Sequence, residues 1–532
     1  MATSSSTAKA PDLPVSMIDV VTPAADWLIV LPVILCLFGG AFLLMLRSSR
    51  NGQAGFAMLV VAATLLVEIE LLMRVLAHGP VSMTMGKWLP PFGISFTADV
   101  LSASFALAAS GATLVVLFYV QPELQAREIR YGFYPLVLLL LAGVSGAFLT
   151  SDLFNLYVWF EVLLIASFGL MIMGGRKIQL DAAIKYGFLN FLATTFFLIS
   201  LGFLYGQLGT LNMADVARLS GAAPVVPMMA IAALLLLAFG MKAAAFPVNA
   251  WLPASYHAPD AGISALFAGL LTKVGAYALL RSLVVLMPAG RDFLEPLLIV
   301  IAVSTLIIAP LGAISQTNLR RALGFLVIGG IGSIMAGLAM ASPRGLAGAS
   351  VYAFNAMLTM TAFYLVAGLV ERMSGTQDTR YMGGLYAVSS PLSIGFLILV
   401  FAAAGLPPTL GFWPKLLLVE ASVEVGTMGD YILLGAILLN SILTTIAGSR
   451  LWAHIFWRSG PEGERSEQAN EKLRALLPDE RNWSLLPTGL LILSIVIMGL
   501  VPNAIIEAGG EAALGLIDPG RYIASVGLKV SP

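Results

Sequence analysis

The chain has 532 residues, of which 59% are hydrophobic and 11% are charged, and its formal net charge at pH 7 is zero. A soluble domain carries about 25% charged residues. This composition, with a mean hydropathy of +0.92, excludes a soluble globular enzyme. The zero net charge gives no global attraction to nucleic acid, so we expect no nucleic-acid partner.

Apolar runs long enough to cross a bilayer recur along almost the whole chain. A spanning helix needs about 20 apolar residues, and lipid tolerates only helices or closed barrels. Because these runs are continuous rather than alternating, they predict an all-α integral membrane protein with about 14 transmembrane helices. The predicted spans, numbered 1 to 14, are 27–46, 55–76, 98–120, 134–150, 152–173, 183–206, 226–248, 259–286, 294–314, 321–341, 350–370, 392–425, 431–456 and 485–505.

The loops between spans predict the orientation. Those after odd-numbered spans hold most of the Lys and Arg residues, which favours the cytoplasmic side and leaves both termini outside. The loop after span 7, residues 249–258, is an exception because it contains neither residue. Residues 1–26 are predicted to form a polar, unstructured extension, and residues 457–484 a charged, partly helical cytoplasmic loop.

Few side chains could hold a cofactor. Cys36 is the single cysteine, and His78, His257 and His454 are the three histidines. This rules out an internal disulfide, a thiolate iron–sulfur site and a CxxC zinc site, and no phosphate-binding motif is present. We therefore expect no cofactor, no metal site and no ATP-driven transport by this chain alone.

Four ionisable residues lie inside apolar runs, where charge is costly and marks an ion or proton pathway by default. Glu161 is near the middle of span 5, too deep to reach water; the alternative is a structural hydrogen bond. Lys242 is in span 7, five residues before Pro247, which is expected to break the helix; the alternative is a lysine that reaches the interface. Lys273 is in the middle of span 8.

Lys415 is the fourth, in span 12, beside the interruptions that Pro407, Pro408 and Pro414 introduce. Spans 7 and 12 thus share one design, an apolar half-helix, a proline-interrupted centre and a buried lysine, which points to a transport site. Burial favours the neutral lysine and a nearby carboxylate favours the charged form. The hypothesis is that Glu161 pairs with Lys242 and that protons move along the row of buried charges.

Other candidates are secondary. Lys185 in span 6 either feeds the pathway or marks the interface. His257 between spans 7 and 8 either relays protons between Lys242 and Lys273 or caps a helix. Structural or interfacial roles are expected for the remaining charges: Glu70 and Arg74 as a local ion pair, Arg281 as an interface anchor, and Glu420 with Glu424 as an exit path or a wet helix end.

Three stretches carry a resemblance to a known family. They are LFNLYVWFEVLLIASFGL, FGMKAAAFPVNAWLPASYHAPDAGISALFAGLLTKVGAYALLR and GLPPTLGFWPKLLLVEA. Over roughly residues 95–455 the sequence resembles the antiporter-like family shared by Mrp-type cation/proton antiporters and respiratory complex I. VAGLVERMSGTQDTRYMGGL and LIDPGRYIASV are similar to the D-type branch of the Mrp antiporters.

The resemblance implies fourteen helices, with two inverted five-helix repeats and with helices 7 and 12 discontinuous. It divides the chain into an extension (1–26), helices 1–3 (27–120), a first repeat of helices 4–8 (121–291), a second repeat of helices 9–13 (292–456), the loop 457–484, and helix 14 with a tail (485–532). In the family, the residues matching Glu161 and Lys242 pair, and those matching Lys273 and Lys415 continue the proton path.

Span 11 departs from the family pattern, in which it usually carries His and often Lys. Here Asn355 and Met360 do not titrate, so Thr359, Thr361 or water would link Lys273 to Lys415.

The resemblance implies a subunit of a multisubunit antiporter in the bacterial cytoplasmic membrane. It would exchange protons for Na⁺ or K⁺, with the A-, B-, C-, E-, F- and G-type Mrp subunits as partners. The alternative is a proton-translocating subunit of a complex I-like or membrane-bound hydrogenase redox complex. A purely structural scaffold is disfavoured because it gains nothing from burying four charges.

Overall fold

A computed structural model describes residues 22–46, 50–459 and 473–528 of the chain. Most of these residues are helical. Eleven helices in this part of the chain are long and apolar enough to cross a membrane, and three shorter apolar helices accompany them. The observed architecture is therefore a multi-pass helical membrane protein.

The helices follow the predicted spans closely in order and position. The first eight are α1 (Leu31–Met45), α2 (Arg50–His78), α3 (Val100–Tyr119), α4 (Phe133–Leu149), α5 (Leu153–Met171), α6 (Lys177–Leu208), α7 (Val225–Ala243) and α8 (Ala261–Leu286). The next eight are α9 (Pro288–Ser315), α10 (Leu319–Met340), α11 (Pro343–Ser374), α12 (Ser390–Ala404), α13 (Phe412–Val425), α14 (Met428–Trp457), α15 (Pro478–Leu500) and α16 (Asn503–Ile517). A short helix α17 (Gly520–Ser525) follows.

Both predicted interruptions are present. Helix α7 ends at Ala243, four residues before Pro247, and Ala244 takes a left-handed conformation with φ of 60°. After this break, the next helical segment is the short helix Trp251–Ser255. Span 12 is divided into α12 and α13, with Gly405 at φ of 81° closing the first half.

The main differences from the predicted spans lie near the two ends of the chain. The segment Ala24–Ile29 is a 3₁₀ helix, so the last residues of the expected extension are ordered, while residues 1–21 lie outside the described part. Helix α15 begins at Pro478, which shortens the expected loop 457–484; its residues 460–472 are also outside the described part. Helix α16 was not predicted, because its run of apolar residues is too short to span a membrane.

A small sheet interrupts the all-helical architecture. Strands β1 (Val81–Thr84) and β2 (Ser95–Ala98) pair antiparallel, with Val81 opposite Ala98. Backbone contacts tie β2 to the start of α5, because the amide of Ser151 donates to the carbonyl oxygen of Ser95 at 2.8 Å. We call the end of the molecule that carries this sheet the hairpin face.

Helices α8, α10 and α11 form the centre of the molecule. The apolar window of α8 is entirely buried, and those of α10 and α11 are 94% buried, whereas α2 and α15 bury only 33%. A helix that is apolar on all sides fits a position surrounded by other helices. The central helices therefore place Lys273 in the interior and pack α11 against α8, α12 and α13.

The loops after odd-numbered spans meet at the end opposite the hairpin face. There Arg320 pairs with Glu371, Arg372 pairs with Glu123, and Arg176 pairs with Asp260 at 2.7 Å. We call this end the arginine face. The exceptional loop after span 7 belongs to it, because the carbonyl oxygens of its last residue, Ala258, and of the next residue, Pro259, accept hydrogen bonds from Arg176 and Arg320. Arginines from other loops thus bind the end of the loop 249–258, which contains no Lys or Arg of its own.

Candidate functional site

Lys242 lies at the point where α7 stops. Its side chain is 5% exposed, and its Nζ sits 4.5 Å from the centre of the Phe160 ring on α5. The indole Nε1 of Trp251 donates to the carbonyl oxygen of Met241 at 3.1 Å, and the amide of Phe246 donates to Oγ1 of Thr305 at 3.1 Å. These bonds satisfy backbone groups that the helix break frees, so the turn that follows Lys242 is held in place.

Glu161 lies one residue beyond Phe160 on α5 and is half-buried. Its carboxyl lies close enough to Lys242 to act on it electrostatically. The expected direct pair is absent, however, because no ion pair among the described residues joins the two side chains. The ring of Phe160 occupies the position against the ammonium that a carboxylate would otherwise take.

A small cavity of about 20 Å³ lies beside Lys242. Its polar walls come from Tyr186 and Asn190 of α6 and from Trp251. The Tyr186 hydroxyl lies 2.7 Å from that of Ser167 on α5, so the wall joins the two helices by a hydrogen bond. The sequence analysis missed Tyr186 and Asn190, although an asparagine within an apolar span was a usable signal.

Lys273 is 1% exposed, in the middle of α8. A single π-helical turn, Phe267–Leu271, precedes it, and its Nζ donates to the carbonyl oxygen of Ala268 at 2.6 Å. A π turn leaves such a carbonyl free for a side chain. Gly275 packs α8 onto the α7 break, since a Cβ there would lie 2.7 Å from the Ala243 amide nitrogen. The structure therefore brings the helix of Lys273 directly against Lys242.

Lys415 is 4% exposed, in the first turn of α13. Its Nζ donates to the carbonyl oxygen of Ala404 and to Oδ1 of Asn440, both at 3.0 Å, and to Oγ of Ser441 at 2.9 Å. The Asn440 amide in turn donates to the carbonyl oxygen of Leu306 at 2.7 Å. Lys415 is thus held by three neutral acceptors. The sequence analysis missed Asn440 and Ser441, an adjacent polar pair in an apolar helix.

Helix α11 connects the surroundings of the two lysines with neutral polar side chains. Gly269, in the π turn beside Lys273, packs against Oγ1 of Thr361 so closely that a Cβ would not fit. A Cβ at Gly411, in the turn before Lys415, would lie 3.2 Å from Nδ2 of Asn355. The Thr359 hydroxyl donates to Oδ1 of Asn355 at 3.1 Å. Met360 is buried at 1% exposure and supplies no donor.

His257 lies outside the lysine row, at the arginine face. Its Nε2 is 3.2 Å from a guanidinium nitrogen of Arg321, and its Nδ1 is 3.0 Å from the carbonyl oxygen of Pro253. This arrangement requires Nε2 to accept and Nδ1 to donate, which is the neutral imidazole. Burial and the positive charge of Arg321 lower the pKa of His257 to about 4.

Lys185 is exposed and forms an ion pair with Asp181, one turn earlier on α6, at 2.5 Å. It acts electrostatically on His257, so both secondary candidates lie at the same end of the molecule. Neither makes a described contact with Lys242, Lys273 or Lys415. Burial also raises the pKa of Glu123, in the turn after α3, to about 7 despite its pairing with Arg372.

Two expectations about surface charges are wrong. Arg74 pairs with Asp26 at 2.7 Å rather than with Glu70, which is exposed, because the ordered 3₁₀ helix brings Asp26 to it. Arg281 is buried at 2% exposure and pairs with Asp99, so it is not an interface anchor. Glu420 and Glu424 are exposed, and Glu424 pairs with Arg344, as expected for a wet helix end.

The arrangement can hold and transfer single protons. A buried lysine with neutral acceptors can lose its proton without leaving an unpaired anion behind. No group of three or more His, Cys, Asp or Glu side chains in the described ranges could hold a metal ion. The chemistry that these residues support is proton transfer between buried amines, a carboxylate and hydroxyl or amide groups.

The chain is similar to known membrane proteins along most of its length. Residues 150–444 match the family described as NADH:quinone oxidoreductase/Mrp antiporter, TM. The chain is 35% identical to the D-type subunit of the Na⁺/H⁺ antiporter of Alkalihalophilus pseudofirmus over 94% of its own length and 99% of that protein.

Two solved structures are similar over nearly the whole chain. A chain of the Mrp complex from Dietzia sp. DQ12-45-1b superposes with a TM-score of 0.86 at 27% identity, covering 95% of this chain and 100% of that one. A chain of the archaeal membrane-bound sulfane sulfur reductase superposes with a TM-score of 0.84 at 26% identity, covering 94% and 99%. The chain therefore belongs to the NADH:quinone oxidoreductase/Mrp antiporter family of membrane proteins.

Proposed function

We propose that this protein is the D-type subunit of a multisubunit secondary antiporter that exchanges protons for Na⁺ or K⁺. Homology to D-type antiporter subunits over nearly the full length of both chains supports it. The observation that carries the proposal is the row of three buried lysines, Lys242, Lys273 and Lys415, none of which forms an ion pair with a described residue. The protein is a secondary transporter subunit rather than an enzyme.

The row works by proton transfer in this proposal. A proton that reaches Glu161 neutralises its carboxylate and removes the attraction that holds the ammonium form of Lys242. Lys242 then releases its proton toward Lys273 through the contact of α7 with α8. The hydroxyls and amide of Thr361, Thr359 and Asn355, with water, carry the proton on toward Lys415. His257 stays neutral, so it serves as a transient relay at most, and Lys185 marks the interface.

The fold proposed for this function has fourteen transmembrane helices. Helices α12 and α13 count together as one discontinuous helix, and α7 with Trp251–Ser255 as another. Residues 121–291 and 292–456 form the two inverted five-helix repeats. The shared break-plus-lysine design of the two interrupted helices supports this division.

The arginine face lies toward the cytoplasm in this proposal, and both termini lie on the outer side of a bacterial cytoplasmic membrane. The clustering of Arg176, Arg320 and Arg372 at one end supports this orientation. The A-, B-, C-, E-, F- and G-type Mrp subunits are the proposed partners. The exposed apolar side chains of α2, α6 and α15 provide surfaces for lipid and for such partners.

The test is cation-dependent proton movement in everted vesicles from cells that express the complete gene cluster. We expect Glu161→Gln and Lys242→Met to assemble and to lose Na⁺- or K⁺-driven proton exchange, because each removes a titrating group. Glu70→Gln and Lys177→Met, which change exposed residues, are the matched controls and should exchange as the unchanged protein does. Exchange that survives in both row variants at normal abundance would reject the mechanism.

A redox-coupled complex is the second candidate, favoured by the similarity to the sulfane sulfur reductase chain. In that case the same proton row would serve an electron-transfer enzyme, and this chain would bind no redox centre. The vesicle experiment separates the two. Proton movement that requires a reductant, with none on adding Na⁺ or K⁺, would replace the first proposal by the second.

A further inference from the structure

Glu68 is a fully buried carboxyl that the lysine row does not use. It lies on α2 with 0% exposure, ten residues before the helix ends at His78. Ser145 of α4 donates its hydroxyl to Oε1 of Glu68 at 3.0 Å, and Ser110 of α3 is also close to the carboxyl. Helices from three sides thus surround this side chain within the membrane-spanning region.

The second oxygen of this carboxyl, Oε2, is buried and has no hydrogen-bond partner among the described residues. The other buried acidic residues of the described part either pair with an arginine or cap a helix terminus. They are Asp99, Glu123, Glu128, Asp152, Asp215, Asp430 and Glu480. Glu68 therefore differs from all of them, because it neither pairs with an arginine nor caps a helix.

The groups that face Glu68 carry no positive charge. The helices packed against it are α1, α3 and α4, and the titratable side chain that they bring near is the Cys36 thiol of α1. On α2 itself, Glu70 is exposed and Arg74 is engaged with Asp26. A buried carboxylate without a counter-charge is strongly disfavoured, so the carboxyl needs one bound positive charge.

A proton fits this site better than a metal ion. One carboxyl and two serine hydroxyls are few oxygen ligands, and the Ser145 hydroxyl already directs its hydrogen at Oε1. We propose that Glu68, together with Ser145 and Ser110, is a proton-binding site outside the lysine row that loads and unloads during turnover. The proposal rests on the antiport function proposed above.

The position of Glu68 relative to Glu161 gives this site a role. Both α2 and α5 have an end at the hairpin face, and Glu161 is eight residues after α5 begins at Leu153. At 1.5 Å per residue, Glu68 and Glu161 lie about 15 Å and about 12 Å from those helix ends, so their depths are similar. The proton that leaves Oε2 of Glu68 neutralises the Glu161 carboxylate, which leaves Glu68 ionised until it is reloaded.

The contact between α4 and α5 provides the connection. Gly146, next to Ser145, packs on the indole of Trp159, two residues before Glu161. The Trp159 Nε1 is buried without a hydrogen-bond partner in the described part of the chain. The protonated Oε2 of Glu68 and the Trp159 Nε1 are thus both unpaired donors next to adjacent residues of α4, which favours an intervening water that accepts from both in the transfer route.

The test compares Glu68→Gln, which cannot titrate, with Glu68→Asp, which can, and with Glu70→Gln as the exposed control on the same helix. In everted vesicles with the whole complex, we expect Glu68→Gln to lower the cation-driven exchange rate about tenfold or more at unchanged abundance. Glu68→Asp should retain exchange with a displaced pH profile, and Glu70→Gln should match the unchanged protein. A Glu68→Gln rate and pH profile equal to those of the unchanged protein would overturn the inference.

Difference infrared spectroscopy of the purified complex tests proton binding directly. A carboxylic-acid C=O band that disappears in Glu68→Gln and shifts in Ser145→Ala is the expected result. Absence of that band in the unchanged protein, or a carboxylate band that responds to added Na⁺, would show that no proton occupies the site. If Glu68→Gln fails to assemble, the Ser145→Ala variant provides the test by itself. A carboxylic-acid band and a pH profile that are both unshifted in Ser145→Ala would contradict the proposal. Exchange by the unchanged protein is scored separately, so antiport can stand while this site fails.

Discussion

Lys415 shows how a lysine can be buried without a carboxylate partner. Three neutral acceptors, Ala404 O, Asn440 Oδ1 and Ser441 Oγ, surround its ammonium. Hydrogen bonds to charged groups are stronger than those between neutral groups, so the ammonium is accommodated. When the ammonium loses its proton, the amine is neutral, and no neighbouring carboxylate attracts the departing proton. The residue therefore suits proton passage better than a permanent ion pair would.

His257 gives a prediction at the same scale. Its folded-state pKa of about 4 lies below the ordinary value of 6.5, so unfolded protein binds the proton first as pH falls. The stabilisation is present above pH 6.5 and is lost between pH 6.5 and pH 4. Between pH 7.5 and pH 5.5 this loss is about 1 kcal/mol. The fall in Tm over that interval, measured in detergent, should be smaller in His257→Gln; an equal fall would refute it.

At the scale of elements, the two interrupted helices position the lysines through close backbone packing. Gly275 of α8 rests on the last residues of α7, and the stem of Lys415 crosses Gly405, where a Cβ would not fit. Gly405 also has φ of 81°, a conformation that favours glycine. Small residues thus allow helices to approach where the proton must cross between them.

Gly275→Ala tests this packing. The added methyl group would lie 2.7 Å from the Ala243 nitrogen, and backbone must move to accommodate it, at a cost of about 1–3 kcal/mol. We expect a lower Tm and slower exchange. Gly240→Ala on α7 is the matched control, because nothing lies within 4 Å of its Cβ position. Equal Tm values for the two variants would show that this contact does not hold α8 in place.

At the scale of the whole molecule, a buried charge cluster connects distant parts of the chain at the hairpin face. Asp99 caps α3 and pairs with Arg281 at the end of α8. The guanidinium also stacks on Tyr522 of α17 at 5.1 Å, and the Tyr522 hydroxyl lies 2.7 Å from that of Ser151. The start of α3, the last turns of α8, the residue Ser151 before α5 and the C-terminal helix α17 therefore meet in one cluster.

Removing one charge of this cluster should destabilise the protein more than removing both. Asp99→Asn leaves Arg281 buried and unpaired, which costs about 3–5 kcal/mol. Arg281→Met added to Asp99→Asn relieves part of that cost. Thermal unfolding in detergent should rank the Tm values as unchanged protein, double variant, then Asp99→Asn. Glu424→Gln, in an exposed pair, is the control with little effect. A double variant less stable than Asp99→Asn would contradict this account.

The sequence by itself determined most of the helices, their order and the buried positions of Lys242, Lys273 and Lys415, because apolar length and an ionisable residue within it are local signals. The breaks at Pro247 and at Pro407–Pro408 were predictable for the same reason. Tertiary structure alone decided the partners. It placed Phe160 rather than Glu161 against Lys242 and paired Arg281 with Asp99. It also left Glu68 without a counter-charge. None of these contacts could be predicted, because a partner from a distant helix leaves no periodic pattern in the sequence.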